Sequence, residues 1–373
     1  MKNVKFLQLL SAGTDIVSVV NSVDNIEGSM KKLVDNKMIN KIEKLLQEAR
    51  THVTVEVNNT LLRTYMEIGK LLVEDINLHE NEENYQNKTI SMLSKELTRK
   101  FGKGFSRANI WNMITFYKEY GSVQTLSERL SWSHYCELLL ISDKDKRHFY
   151  EVECANSSWS VRELRRQIAS SLFERLLLSD GEANKQKVLE LALKGNEIVK
   201  PQDIVKDPYV FEFLGIPEDK PMMESDLEEA LVRQIEKFLL ELGKGFMFVG
   251  TQQRVTFGNV HYYVDMVFYN KILKSYILIE LKTIKLMPEA VGQLNMYLNY
   301  YAAEVNDEED NTPIGLILCT DKGNVDMQYA LGGLSNNIFA SKYVTYMPDK
   351  EQLIAQVEAV LSLKDKEKKV NNI

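Results

Sequence analysis

A single aspartate inside an otherwise apolar run restricts how this chain can fold more than any other feature of the sequence. Asp265 lies in residues 263–268, YVDMVF, a run whose composition predicts a β-strand. Burying a carboxylate in such a strand is costly unless another group compensates its charge. The groups that compensate Asp265 are therefore expected to define the chemistry of this part of the chain.

A second strand-like run supplies such groups. Glu280 follows Asp265 by 15 residues and lies in residues 277–282, ILIELK. Glu280 and Lys282 alternate with apolar residues, so both point to the same face of the strand. Two carboxylates on adjacent strands, with a lysine beside one of them, can form an oxygen site for Mg²⁺ or Mn²⁺. Such a metal polarises a scissile phosphate and activates the attacking water, and Lys282 would orient that water or stabilise the developing charge.

The pattern around these residues predicts an α/β domain with a central mixed sheet. An amphipathic helix is expected at 226–242 and a second helix from Pro288 onward, through Gln293. Strands are expected at 246–249, 253–257, 261–269, 276–281, 314–319 and 342–346, and a last helix at 350–363. The run at 276–281 is apolar on both faces, which indicates a central strand.

The first half of the chain has helical periodicity, so the protein as a whole is expected to be α+β with an all-α N-terminal domain. Gly102 is expected to end one helix and Ser106 to cap the next, which together resemble a helix-turn-helix. Basic residues lie around this turn: Lys95, Arg99, Lys103 and Arg107. They could bind nucleic acid, or they could be an ordinary solvated face of a dimerisation or partner-docking module.

These patterns divide the chain into five segments. Residues 1–28 are expected to be an N-terminal extension, 29–178 the helical domain and 224–363 the α/β domain, followed by a tail at 364–373. The segment 179–223 contains four of the seven prolines and is interpreted as a linker, although its apolar residues 209–214 are expected to be ordered.

Bulk properties exclude few partners. The formal net charge is −7, but a nucleic-acid enzyme needs only a local basic surface. The three cysteines are far apart, so neither a disulfide framework nor a zinc site is expected, and a cytoplasmic location fits best. Since no stretch of about 20 apolar residues occurs, no membrane span is expected.

At the level of motifs, Asp265 with Glu280-Leu281-Lys282 resembles the core of PD-(D/E)xK nucleases, in which the acids lie on neighbouring strands. The stretches VGTQQRV, YYVDMVFYN and PEAVGQLNMYLNYY resemble the YhcG-like nuclease family, and FGKGFSRANIWNM, LSWSHY and WSVRELRRQI resemble the N-terminal helical domain of that family. The resemblance covers most of the chain from about residue 40. It implies a restriction-endonuclease-like fold and a bacterial, metal-dependent nuclease acting on DNA.

Carried over to this chain, the resemblance makes Asp265 and Glu280 the ligands of Mg²⁺ or Mn²⁺, with the Leu281 carbonyl completing the set. Lys282 becomes the catalytic lysine, and Gln293 matches a glutamine on the helix that follows. Val264 stands where the proline of the motif name would be, which weakens the signature only slightly.

The resemblance also implies an acid on the first helix of the domain, for which Glu228 is preferred over Glu229. Gln253 and Arg254 are expected near the same edge of the sheet, where they could contact phosphate.

Two functional alternatives to a nuclease remain open at this stage. An ExK pattern alone is common on exposed strands, so the scaffold could instead serve a non-catalytic DNA-binding or assembly protein. The helix-turn-helix could also lead a transcription factor that binds DNA without a metal. The sequence fixes neither DNA against RNA nor endonuclease against exonuclease action, and it leaves a homo-oligomer open.

Overall fold

The computed structural model describes residues 16–79, 85–121, 126–179, 185–217, 222–321 and 337–359, and the side chains only from residue 38 onward. The expected tail and most of the expected N-terminal extension lie outside these residues. The chain forms two compact units, Met1–Trp132 and Ser133–Ile373.

In its described residues, the first unit contains three long helices, α1 (Ile16–Leu78), α2 (Tyr85–Phe101) and α3 (Arg107–Tyr120). Leu72, Ile90 and Ile110 form part of their shared apolar core. Helix α1 approaches α3 so closely at Gly69 that an added Cβ would lie 2.1 Å from the Met113 carbonyl oxygen. Only glycine permits this contact.

The turn between α2 and α3 confirms the expected helix, glycine turn and helix. Gly102 has a φ of +82°, a conformation that L side chains rarely adopt, and its N–H donates to the Thr98 carbonyl at 2.9 Å. Ser106 caps α3 by accepting a hydrogen bond from the Asn109 N–H at 3.2 Å.

Five α-helices are described between the end of the first unit and the sheet, the first of them starting at Trp132, the last residue of the first unit. They are α4 (Trp132–Leu138), α5 (Lys144–Ser157), α6 (Val161–Ala169), α7 (Leu172–Leu178) and α8 (Lys185–Lys194). Asp143 caps α5, and Ser160 caps α6 in a reciprocal capping box with Glu163.

A six-stranded mixed sheet follows in the same unit. Its strands are β1 (Tyr209–Val210), β2 (Phe246–Phe257), β3 (Val260–Asn270), β4 (Ser275–Leu281), β5 (Ile314–Cys319) and β6 (Ile338–Val344). Their order across the sheet is β1-β6-β5-β4-β3-β2. Strands β1, β6, β5 and β4 run parallel, while the β4–β3 and β3–β2 pairs are antiparallel. The expected α/β domain with a central mixed sheet is confirmed.

Helices cover both faces of this sheet. Helices α9 (Glu224–Arg233) and α10 (Ile235–Leu242) pack on one face through Leu227, Leu231 and Phe238. Helix α11 (Pro288–Tyr300) packs on the other face through Leu294 and Tyr297. A further helix, α12, occupies 350–359. Since β4 lies inside the sheet and under both layers, a polar side chain on it is shielded from solvent.

The structure corrects three expected boundaries. The two strands expected at 246–249 and 253–257 are one bulged strand, β2, with a register shift between Phe248 and Gly250. The helix expected at 226–242 is interrupted at Gln234, between α9 and α10. The last strand begins at Ile338 rather than at 342. From Ile16 onward, the segment expected to be an N-terminal extension is helical and continues into the rest of α1.

The segment 179–223, interpreted from its prolines as a linker, is largely part of the second unit. It contains α8 and β1, and β1 pairs with β6 through Tyr209 opposite Tyr343. Tyr209, Val210 and Phe211 are fully buried. Prolines interrupt regular structure here, but the apolar residues between them still pack into the core.

A buried ion network joins the helices of the second unit to its sheet. The Glu241 carboxylate of α10 is inaccessible to solvent and accepts hydrogen bonds from Arg175 of α7, from Arg166 of α6 at 3.0 Å and from the Val210 N–H at 3.0 Å. Lys206 donates to the Glu241 backbone carbonyl. Burial alone would raise the pKa of Glu241, but the charges of Arg175, Lys206 and Arg166 outweigh it and hold the pKa at about 2.

We expect Glu241→Gln to destabilise the protein at pH 7 by about 3–5 kcal/mol, because it leaves buried guanidinium groups without their counter-charge. The folded-state pKa of Glu241 lies below its unfolded value, so its stabilisation is complete above pH 4.5 and is lost as the pH falls toward 2. The difference in unfolding free energy between wild type and variant, measured in urea, should therefore shrink below pH 4.5 by about 1.4 kcal/mol per pH unit.

Glu229→Gln is the matched control for this measurement, since Glu229 forms only an exposed pair with Arg233. It should change the unfolding free energy by less than about 0.5 kcal/mol. An equal stability of Glu241→Gln and wild type at pH 7 would contradict the assigned network.

Candidate functional site

Asp265 and Glu280 come together where the β3–β4 ladder ends. The last pair of the ladder is Met266 opposite Ile279, so the next residue on each strand is Asp265 on β3 and Glu280 on β4. In place of a further backbone pair, the Leu281 N–H donates to Asp265 Oδ2 at 2.8 Å. The sequence spacing therefore does place the two carboxylates on neighbouring strands.

Glu280 is buried with only half of its carboxylate satisfied. Only 2% of the surface of this residue is exposed. Oε1 accepts a hydrogen bond from Lys282 Nζ at 3.0 Å, whereas Oε2 is buried and has no hydrogen-bond partner. Burial and the negative charge of Asp265 raise the pKa of Glu280 to about 7. A proton or a bound cation would remove this unfavourable charge.

Asp265 has a milder version of the same environment. Burial raises its pKa, and the hydrogen bond from the Leu281 N–H and the charge of Lys282 oppose that rise without cancelling it. Its Oδ1 atom lies 3.4 Å from Gln252 Nε2. The two acids therefore share a region where a positive charge is favoured.

Helix α9 presents two further acids to this region, one helical turn apart. Glu224 Oε2 accepts from Lys282 Nζ at 2.9 Å, and Glu228 Oε2 accepts from Gln252 Nε2 at 2.6 Å. Burial raises the pKa of Glu228, although its hydrogen bond from Gln252 opposes the rise. Glu229, the other acid considered from the sequence, instead pairs with Arg233 on the surface.

Lys282 lies between Glu224 and Glu280. Burial alone would lower its pKa, but the charge of Glu280 and the hydrogen bonds to both acids outweigh burial, so the pKa is raised. Lys282 is therefore a cation whose ammonium group is fixed in place. Glu224 was not predicted from the sequence, because the helix was expected to begin at residue 226. The signal that could have identified it is its spacing of one helical turn from Glu228.

Gln252 is a second residue that the sequence did not single out. It lies on the bulged part of β2 with a φ of +46°, and its amide connects Glu228 to Asp265. The neighbouring Gln253, chosen from the sequence, instead donates to the Thr251 carbonyl at 3.0 Å, and Arg254 is exposed. The glycine at 250 that interrupts the apolar pattern of β2 was the available signal for the bulge.

Gln293 lies on α11 and donates from Nε2 to the Tyr297 hydroxyl. Tyr297 is buried, and its pKa is raised by burial and, to a smaller extent, by the charges of Glu280 and Asp265. Among the described residues, no hydrogen bond joins Gln293 to either acid, so the structure places it beside the site rather than in contact with the carboxylates.

The donor set suits a hard cation. Within the described residues, no group of three or more histidine, cysteine, aspartate or glutamate side chains has a metal-binding arrangement. The available oxygens are the Asp265 and Glu280 carboxylates together with the backbone of Leu281, whose N–H already binds Asp265. The unpartnered Glu280 Oε2 is the observation that fits a metal best, since a cation would supply its missing partner.

The four basic residues of the first unit that the sequence singled out are exposed. Lys95 and Arg99 lie on α2, Lys103 in the turn and Arg107 at the start of α3. Arg99 also pairs with Glu96 at 2.9 Å.

In the parts of the chain that are described, no helix is long and apolar enough to span a bilayer.

Comparison with known proteins places this chain in a family. Residues 202–358 match the family described as "YhcG PDDEXK nuclease domain", and residues 41–175 match "DUF1016 N-terminal domain". The chain is 35% identical over 352 residues to the Escherichia coli (strain K12) protein named "Putative nuclease YhcG", covering 85% of this chain and 92% of that protein. The protein therefore belongs to the YhcG family of PDDEXK-type nucleases, as the sequence motifs indicated.

A solved structure with partial similarity is described as "crystal structure of a repair endonuclease from Pyrococcus abyssi". It shares 15% identity, with a TM-score of 0.23, and the match covers 36% of this chain and 50% of that chain. This likeness is too low to support an argument about this chain.

We expect Glu280→Gln to stabilise the metal-free protein at pH 8 by up to about 3 kcal/mol, because the folded state raises the Glu280 pKa from 4.5 to about 7. For an acid whose pKa is raised by folding, stability falls as the pH rises through this interval. Urea unfolding in EDTA at pH 5 and pH 8 measures the effect.

Adding Mn²⁺ should reverse the order of stability at pH 8, since the wild type alone gains a complete binding site. A wild-type chain that remains less stable than Glu280→Gln in excess Mn²⁺ would argue against metal binding by these residues.

Proposed function

We propose that this protein hydrolyses phosphodiester bonds in DNA with the help of Mg²⁺ or Mn²⁺, at the site formed by Asp265, Glu280 and Lys282. The observation that carries the proposal is the buried, unpartnered Oε2 atom of Glu280 beside a second carboxylate. Two neighbouring acids at this depth are stable together only if a cation or a proton is shared between them. At neutral pH, a bound divalent cation would supply the positive charge that the two acids share.

Asp265, Glu280 and the Leu281 carbonyl are the groups that would hold the metal. When bound, the metal supplies positive charge that polarises the phosphate and lowers the pKa of the attacking water. The Leu281 N–H and Gln252 hold the Asp265 carboxylate in position.

Lys282 supplies a fixed positive charge for the transition state. Its ammonium group, held by Glu224 and Glu280, would donate to a phosphate oxygen as negative charge develops there. Water forms the new bond to phosphorus, the bond from phosphorus to the leaving sugar oxygen breaks, and that oxygen takes up a proton. No covalent bond to the protein is needed.

The first unit would contribute to DNA binding through phosphate contacts. Lys95, Arg99, Lys103 and Arg107 surround one turn and are exposed, which suits contacts to the DNA backbone. In the second unit, exposed Arg254 and its neighbour Gln253 lie on the strand next to Asp265 and could contact the same substrate.

We expect Asp265→Asn, Glu280→Gln and Lys282→Ala each to lower the rate of DNA cleavage at least about 100-fold in Mg²⁺ or Mn²⁺. The first two remove a negative ligand, and the third removes the charge that stabilises the transition state. The measurement is cleavage of supercoiled, linear and single-stranded DNA, and of RNA, by purified full-length protein.

Glu229→Gln is the control, because this acid is on the same helix as Glu224 and Glu228 but pairs away from the site. It should cleave like the wild type. If all three site variants cleave as fast as the wild type, the site is wrongly assigned. If the wild type binds DNA and cleaves none of the four substrates with either metal, the protein is a non-catalytic DNA-binding or assembly protein on this scaffold.

We expect Lys103→Ala combined with Arg107→Ala to weaken DNA binding and to reduce the salt dependence of binding by about two phosphate contacts. Fluorescence anisotropy with labelled duplex at several salt concentrations measures both quantities. Lys44→Ala, on the distant part of α1, should leave the slope unchanged. An unchanged slope in the double variant would assign this surface to another role.

A further inference from the structure

An exposed apolar stripe runs along the solitary part of α1. Every residue from 38 to 54 is exposed, so this part of the helix packs against no other described element of its own unit. At least half of the surface of Ile39, Ile42, Leu46 and Val53 is nevertheless accessible to water. Helices are marginally stable without tertiary packing, and large exposed apolar surfaces mark interaction sites.

The stripe follows the heptad spacing of a coiled coil. Ile39, Ile42, Leu46, Ala49 and Val53 are separated by three, four, three and four residues, which places them at successive a and d positions. The inner core of the first unit is built instead from the later part of α1, which includes Leu62 and Met66. The stripe is therefore a separate surface.

We infer that this stripe joins two copies of the chain in an antiparallel coiled coil. Packed antiparallel about a two-fold axis between residues 47 and 48, the central four residues of the stripe pair with each other, while Ile39 at its end lies opposite Glu56. Ile42 lies opposite Val53 of the second copy, and Leu46 lies opposite Ala49. The chain needs no other protein to cover this surface.

Charge selects the antiparallel arrangement. Glu43 and Arg50 both occupy the e position, directly beside the stripe. In an antiparallel pair, e positions face each other, so Glu43 meets Arg50 of the second copy twice. In a parallel pair, Arg50 would instead face Leu45, and no such ion pair would form.

The area is adequate for a dimer. The exposed apolar residues of this segment are Met38, Ile39, Ile42, Leu45, Leu46, Val53 and Val57. Their burial would remove on the order of 500–800 Å² of apolar surface per copy. Stable interfaces bury about 800 Å² per partner in total, polar surface included.

Sedimentation equilibrium of the full-length protein tests this inference. The wild type should have twice the 43.0 kDa mass of one chain at micromolar concentration. Ile42→Glu with Leu46→Glu should raise the dissociation constant at least about 100-fold, since each change acts twice in a symmetric pair. A monomeric wild type at tens of micromolar, or a dimer unaffected by these two substitutions, would overturn the inference.

Charge reversal tests the orientation. Glu43→Arg or Arg50→Glu alone should weaken the dimer about fivefold to tenfold, and the double variant should restore wild-type affinity. Lys44→Glu, an equal charge change on the outer face of the same helix, is the control and should have no effect. A dimer that the double variant fails to restore would contradict the antiparallel arrangement.

All of these variants change only exposed residues, so helix content measured by circular dichroism serves as the folding control. The test is independent of the nuclease site, because DNA cleavage is not the readout. A dimer would also place two catalytic units in one particle, which suits cleavage of both strands of a duplex if the proposed activity holds.

Discussion

Glu280 lies on β4, inside a sheet covered by helices on both faces, with 2% of the residue's surface exposed. Its negative charge has to be balanced within the protein, because solvent cannot balance it. Lys282 provides one partner, but the neighbouring charge of Asp265 works against it and the pKa of Glu280 stays near 7. A buried acid with incomplete compensation marks a candidate functional site, and the chain belongs to the YhcG family of nucleases.

Glu241 shows how the same protein treats a buried carboxylate that is only structural. It is as deeply buried as Glu280, yet Arg175, Arg166 and Lys206 surround it and its pKa falls to about 2. The two acids have opposite pKa shifts in one fold because only one of them has a full set of cationic and hydrogen-bonding partners. This contrast distinguishes the ion network that stabilises the second unit from the site at which we propose that a cation binds.

The sequence was sufficient to predict the α/β domain and the meeting of Asp265 with Glu280, because strand alternation and the hairpin spacing determine both. It was not sufficient to predict that Glu224 and Gln252 lie at the site. Gln252 reaches Asp265 only because of a bulge and a positive φ in β2, which depend on pairing with β3. The short strand β1 was not predicted, because prolines flank it and interrupt the strand pattern. Its partner β6 also lies more than 100 residues away in the sequence, so no local pattern indicates their pairing.

A crystal of the full-length protein soaked in Mn²⁺ tests the central claim most directly through anomalous diffraction at the manganese edge. The account predicts an anomalous peak about 2.0–2.3 Å from carboxylate oxygens of both Asp265 and Glu280. The same peak should be absent in a Glu280→Gln crystal treated identically. A wild-type crystal with an intact site and no peak between these two residues would contradict the account.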